Sequence, residues 1–168
     1  MRRLETSKMP EHSRRSNEGF SLIELLVVVA VILVVTAIAV PNFIKAKMLS
    51  NESSALQSLR SISTAEILYS TTFGVGFSTN ITQLSGTGVN PDQNNAGLID
   101  ETLASGIKSG YVFTYTPLTT DAQGHTTTYS LAADPQSSTT GQRHFYTELT
   151  GVIRSNISVP AGPSDLPI

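Results

Sequence analysis

Cysteine and tryptophan are both missing from the 168-residue chain, and only 14% of its residues are charged. Without cysteine there can be no disulfide, thiolate metal site or cysteine nucleophile. The same absence says nothing about compartment, since an exported protein need not carry disulfides. Soluble domains are about 25% charged, and the deficit here is local: Leu25 to Val40 holds no ionisable group. A net charge of −2 gives no general affinity for nucleic-acid phosphates. No G-x-S-x-G element and no phosphate-binding glycine loop occurs, so no enzymatic function is expected. His12 lies near the N-terminus, and His125 and His144 are placed as sheet-face or surface residues. Two histidines without a ligand-spaced partner do not make a zinc site. Asp121 and Asp134 are scattered, and Asn90 to Asn95 lacks the ligand spacing of a calcium loop. No cofactor or metal is expected.

What the chain does have is concentrated at its start. Residues 1–19 carry five basic and three acidic side chains, a local net of +2. Phe20 to Val40 follows, 21 residues of mostly Val, Ile, Leu and Ala. At the helical rise of 1.5 Å per residue this spans roughly 31 Å, close to the hydrocarbon thickness of a bilayer. Such a β-branched run favours a strand in water. In lipid only a helix satisfies every backbone hydrogen bond within one segment. The cationic leader is expected to stay in the cytoplasm, which sends the C-terminal bulk outward. Glu24 interrupts the apolar run near its start, where an ionised carboxylate is tolerated at a headgroup or against a cationic partner.

The run Gly19-Phe20-Ser21-Leu22-Ile23-Glu24-Leu25-Leu26 resembles the class III signal of type IV pilins and type II secretion pseudopilins. The resemblance covers about the first third of the chain. It implies cleavage by a prepilin peptidase between Gly19 and Phe20 and N-methylation of Phe20. It also implies that Glu24 neutralises the new amino terminus of a neighbouring subunit and so sets register. That role agrees with the tolerance of buried charges that are paired. Pro41 falls where many members have a helix-kinking proline. Glu18 departs from the pattern, since a basic residue often precedes the glycine. Two other export signals fit less well. Ala37-Ile38-Ala39 could end an ordinary signal peptide and release a chain from Val40, but the 16-residue uncharged core exceeds the usual length of about 7–15 and leaves Glu24 unexplained. The residues after Arg14-Arg15 do not resemble a twin-arginine signal.

Beyond Pro41, Ile44, Met48, Ala55, Leu59, Ile62 and Ala65 recur at helical spacing, with Leu49 and Leu56 widening the stripe. An amphipathic half-helix is predicted to about Tyr69, before Thr71-Thr72-Phe73-Gly74. Pro41 predicts a kink or local unwinding where the halves meet. Gly74 to Asn95 reads as a long connecting loop, and a short helix is expected from about Leu98 to Ile107. Strands are expected over Gly110–Thr116, Thr126–Ala132 and Gly141–Leu149, with a fourth over Gly151–Arg154. The tail from Ser155 to Ile168, with its three prolines, is expected to be extended.

The fold expected is α+β: a long N-terminal helix, half transmembrane and half amphipathic, packed on an antiparallel sheet of three to four strands. The divisions are a leader (1–19), a membrane and fibre-core half-helix (20–41), an amphipathic half-helix (42–70), a loop with a short helix (71–109), the sheet (110–154) and the tail (155–168). The function expected is that of a prepilin, polymerised through its apolar helix into a type IV pilus. The alternatives are a secretion pseudopilin and a minor pilin acting in adhesion or DNA uptake. Partners implied are other copies of the chain in a homopolymer or mixed filament, the prepilin peptidase, an inner-membrane assembly platform, and membrane lipid before assembly. Once the leader is removed, six basic and ten acidic residues remain, so nucleic acid is not an expected partner. The precursor is expected in a bacterial inner membrane, and the assembled form in an extracellular pilus or periplasmic pseudopilus. Asn51, Asn80 and Asn156 each open an N-x-S/T triplet, a pattern common by chance in a Ser/Thr-rich chain.

Overall fold

The computed structural model describes residues 19–86 and 89–168. The leader up to Glu18, with His12, Arg14 and Arg15, lies outside the described residues. The chain divides into a unit ending at Val40 and a second unit, Pro41–Ile168. Helix α1, Leu22–Phe73, contains Pro41 and supplies residues to both.

In the first unit every residue of the described helix is exposed. Among the described residues it belongs to the one helix long and apolar enough to cross a membrane, and none of its most apolar stretch is buried. Its single hydroxyl in mid-run, Thr36, folds back to the Ile32 and Leu33 carbonyls at 2.9 and 3.1 Å. That bond removes the one side-chain polar group that lipid would leave unsatisfied.

In the second unit α1 buries a stripe. Met48, Glu52, Ala55, Leu59, Ile62, Glu66 and Tyr69 are all buried, at alternating steps of four and three that keep them on one face. The stripe is narrower than expected on one side: Leu49 is 66% exposed and Ile44 39%. The helix also runs past Tyr69 to Phe73. Thr71 returns its hydroxyl to the Ile67 carbonyl at 2.9 Å, and Gly74, at φ +67°, supplies the left-handed residue that ends it.

After α1 the chain makes a 3-10 turn, Ile81–Leu84, and helix α2, Glu101–Ala104. The expected ten-residue helix is thus a single turn, capped by the Asp100 carboxylate on the Leu103 amide at 2.8 Å. The expected loop is anchored by Leu84, which is fully buried. Six strands follow: β1 (Ile107–Lys108), β2 (Tyr111–Thr120), β3 (Thr126–Pro135), β4 (His144–Glu148), β5 (Arg154–Asn156) and β6 (Leu166–Pro167). All neighbours are antiparallel, and the order in space is the order in sequence.

The α+β class is as expected, with six strands in place of three to four. The three central strands sit where alternation placed them, and β2 and β3 are longer. The fourth expected strand is shifted to Arg154–Asn156. The proline-rich tail is not merely extended, because it supplies β6 and pairs Leu166 with Ser155. Leu118 has no partner, and the register slips on either side of Thr119, a bulge that bends the end of β2.

The inner sheet face carries Tyr111, Phe113, Leu131, Ala133 and Phe145, which form one buried cluster with Leu59, Ile62 and Tyr69 of α1. Tyr111 and Phe145 stack at 5.9 Å, and Tyr115 and Tyr129 at 5.4 Å. Burying a large apolar side chain contributes about 1.5–3 kcal/mol, so this cluster is what holds α1 to the sheet.

Candidate functional site

The start of α1 is built from Gly19, Phe20, Ser21 and Glu24. Gly19, Phe20 and Ser21 precede the helix and are not helical. Phe20 is 90% exposed. A side chain at Gly19 would meet nothing within 4 Å, so packing within the chain does not require glycine there. Ser21 takes the N-cap position. Its carbonyl accepts from the Leu25 amide at 3.3 Å, and its own amide donates to Glu24 Oε2 at 2.8 Å. Glu24 is the third residue of the helix, so this is the return half of a capping box. A carboxylate there also faces the positive end of the helix dipole. The sequence signal for this cap, S-x-x-E ahead of an apolar run, lay in plain view and was read only for charge. Glu24 therefore has a partner inside the chain, although its other oxygen forms no hydrogen bond with another described residue. Phe20, Ile23, Val27 and Val28 surround it on the helix surface.

Pro41 lies inside α1, helical on both sides. The structure brings no second site residue to it.

Two further carboxylates, missed because charge normally marks a solvent face, sit in the buried stripe of α1. Glu52 Oε1 accepts from the Gln142 and Arg143 amides at 3.1 and 3.4 Å, and neighbouring Asn51 donates to the Thr140 carbonyl at 2.8 Å. Together they pin the β3–β4 loop to the helix. Glu66 is fully buried. Desolvation raises its pKa, and the hydrogen bonds it accepts from Ser78 oppose that rise. The Tyr115 hydroxyl next to it is pushed up by burial and by the Glu66 charge. The signal that locates both was spacing: they occupy the same three-and-four ladder as Met48, Leu59 and Tyr69.

His125 precedes β3 and faces Asp121 at 3.1 Å across a tight turn, while His144 on β4 faces Asp134 at 2.6 Å. Each of these two histidines thus has a carboxylate that sequence spacing did not reveal. Among the described residues no group of three or more His, Asp or Glu side chains is placed to hold a metal. The three N-x-S/T asparagines are engaged: Asn51 with Thr140, Asn80 as a cap on the Gln83 amide, and Asn156 with Asp165.

The residues that build this helix start have counterparts in the sequences of known proteins. Residues 14–40 match the prokaryotic N-terminal methylation motif. That match takes in 27 of the 168 residues. A second likeness is wider: over 50 residues the chain is 50% identical to the type IV major pilin protein PilA of Myxococcus xanthus (strain DK1622). That stretch is 30% of this chain and 23% of that protein, so it covers less than a quarter of the relative and leaves the sheet outside the likeness. No solved structure matches the chain.

Proposed function

We propose that the chain is the precursor of a structural, non-enzymatic subunit of a type IV pilus. The observation that carries this reading is the helix of Leu22 to Val40, uncharged after Glu24 and covered by no other described residue. Exposed apolar surface of that extent requires either lipid or other helices. A filament supplies the second: copies associate head to tail through different faces, and such contacts do not close into a ring.

In this reading the prepilin peptidase cuts between Gly19 and Phe20. The freedom of Gly19 from any packing demand supports a glycine selected for recognition. Phe20 is then methylated and becomes the amino terminus. Glu24, four residues on and with one oxygen that no other described residue bonds, is the acceptor for the amine of a neighbouring copy. Pro41 removes one backbone hydrogen bond where the apolar run ends, which makes α1 easiest to bend there. Before assembly the precursor sits in the inner membrane with its head outside, and an assembly platform draws it into the fibre. The relative named above is a pilus subunit, which favours the pilus over the secretion pseudopilus.

Mass spectrometry of the mature N-terminus tests the reading. A chain beginning at methylated Phe20 is expected. One beginning at Val40, the product of an ordinary signal peptidase, would replace the fibre subunit with a secreted domain.

A further inference from the structure

A second feature of the chain lies just past the apolar run. Lys45 and Lys47 are the first charges after Glu24. Both are exposed, and neither forms an ion pair with another described residue. Lysines beside the translocated end of a membrane helix run against the usual bias, which concentrates them on the cytoplasmic side. Lys45 also edges a groove of about 490 Å³ whose wall is apolar, formed by Pro41, Ile44, Met48 and Leu49. The groove's far side is polar, with Ser138 and Gln142 of the β3–β4 loop. Glu52 reaches the groove too, but its Oε1 is taken by the Gln142 and Arg143 amides.

Chain connectivity alone fixes the depth of these lysines in the membrane-held precursor. Lys45 is five residues beyond Val40, about 7.5 Å along a helix. The headgroup layer on each side of a bilayer is about 5–8 Å deep. Lys45 therefore sits among lipid phosphates, with an apolar wall directly beside it, whereas Lys47, about 10.5 Å along and on the other side of the helix, lies beyond that layer.

We propose that this groove holds an anionic phospholipid of the membrane. Lys45 takes the phosphate, and Ile44, Met48 and Leu49 take the adjoining part of an acyl chain. Charge complementarity selects the headgroup, and the apolar wall distinguishes a seated lipid from a diffuse surface attraction. The proposal rests on the membrane-held precursor described above. It adds a specific lipid contact at the outer boundary of the span, one that must be released when the helix leaves the bilayer.

The full-length precursor, reconstituted into vesicles of equal phosphatidylglycerol and phosphatidylcholine and then extracted in mild detergent, provides the test by native mass spectrometry of retained lipid. One lysine near an anionic surface favours the anionic lipid about fivefold. Wild type should retain phosphatidylglycerol by that margin, and Lys45→Gln should lose the preference while inserting normally. Leu49→Ser should lower retention with no change in charge. Equal retention of both lipids by wild type overturns the proposal, as does full retention by Leu49→Ser or displacement of the lipid by inorganic phosphate. A chain that alkaline carbonate strips from the vesicles removes the membrane-held precursor itself. One that inserts and shows no headgroup preference removes the lipid site alone.

Discussion

Ser78 meets Glu66 with both of its donors: its amide reaches Oε2 at 2.9 Å and its hydroxyl reaches Oε1 at 2.5 Å. Both residues are completely shielded from solvent. The pair ties α1 to the chain that leaves it, and Tyr115 completes the contact by donating to the Ser78 carbonyl at 2.8 Å. The ionisable groups set against this carboxylate are the hydroxyls of Tyr69, Tyr115 and Tyr129, each raised by burial.

Because burial raises the Glu66 pKa, the stability it lends is complete while the carboxyl is protonated, below its ordinary value. That stability is lost as pH rises through the raised folded-state value. Glu66→Gln keeps an acceptor for the Ser78 amide and offers a donor to its hydroxyl. The variant should be more stable than wild type at pH 8, with the difference vanishing near pH 4 in chemical denaturation. Glu66→Ala leaves the buried Ser78 amide unpaired and should cost about 1–3 kcal/mol at either pH.

Gly141 packs on Tyr111 so closely that an added Cβ would collide with the ring and hydroxyl. That hydroxyl also holds the Arg143 carbonyl at 2.8 Å. Gly141→Ala should destabilise the head by about 1–3 kcal/mol. In G141A/Y111F the absent hydroxyl relieves part of the clash, so the two costs should sum to more than the double variant shows. Thermal denaturation of the four proteins measures this, and strict additivity would show that the contact is not shared.

Glu24 can be separated into cap and charge. Glutamine at the same position can still return to the Ser21 amide, whereas it cannot neutralise an amine. Glu24→Gln and Glu24→Ala should both be cut at Gly19–Phe20 and held in the membrane, and both should lower the yield of sheared fibres at least about tenfold. Wild-type yield from Glu24→Gln would sink the charge-pairing role.

The C-terminal segment depends on Asp165. Its carboxylate accepts from the Gly162 amide at 2.7 Å and from Asn156 at 2.9 Å, and its carbonyl holds Arg154. The bond from Gly162 is the main cause of its lowered pKa. A lowered value contributes stability that is present above the ordinary carboxylate range and lost as pH falls through the folded-state value. Asp165→Ala should therefore expose residues 157–168 to proteolysis at neutral pH, while wild type resists until strongly acid conditions. Timed digestion read by mass spectrometry distinguishes the two.

How much of this was legible beforehand differs from element to element. The apolar half of α1 was legible because in lipid only a helix satisfies every backbone hydrogen bond of such a run. The central strands were legible because Tyr111, Phe113 and Tyr115 alternate, as do Tyr129, Leu131 and Ala133. Glu52 and Glu66 were not, since a carboxylate is read as solvent-facing until its partners are known. Those partners, the Ser78 amide and the amides of Gln142 and Arg143, lie 12, 90 and 91 residues from them. β5 and β6 have only three and two residues, too few for a period to register. They form because Arg154 and Asn156 find Asp165, a side-chain contact that no local pattern announces. At the candidate site the order of residue types pointed to Gly19, Phe20 and Glu24, whereas the Ser21 cap, whose S-x-x-E spacing was also present, went unread.

The strand order, the same in space as in sequence, has a kinetic consequence. Each strand pairs with the one made just before it, so closing the sheet demands only short loops and few distant encounters. A chain appearing from its N-terminus would find α1 in place as a template. Each new strand would then dock beside one already formed, with no open position waiting for a segment still to be made. A head built this way can finish folding at the pace of its own delivery, which suits a chain that contains no covalent fastener to correct a mistake.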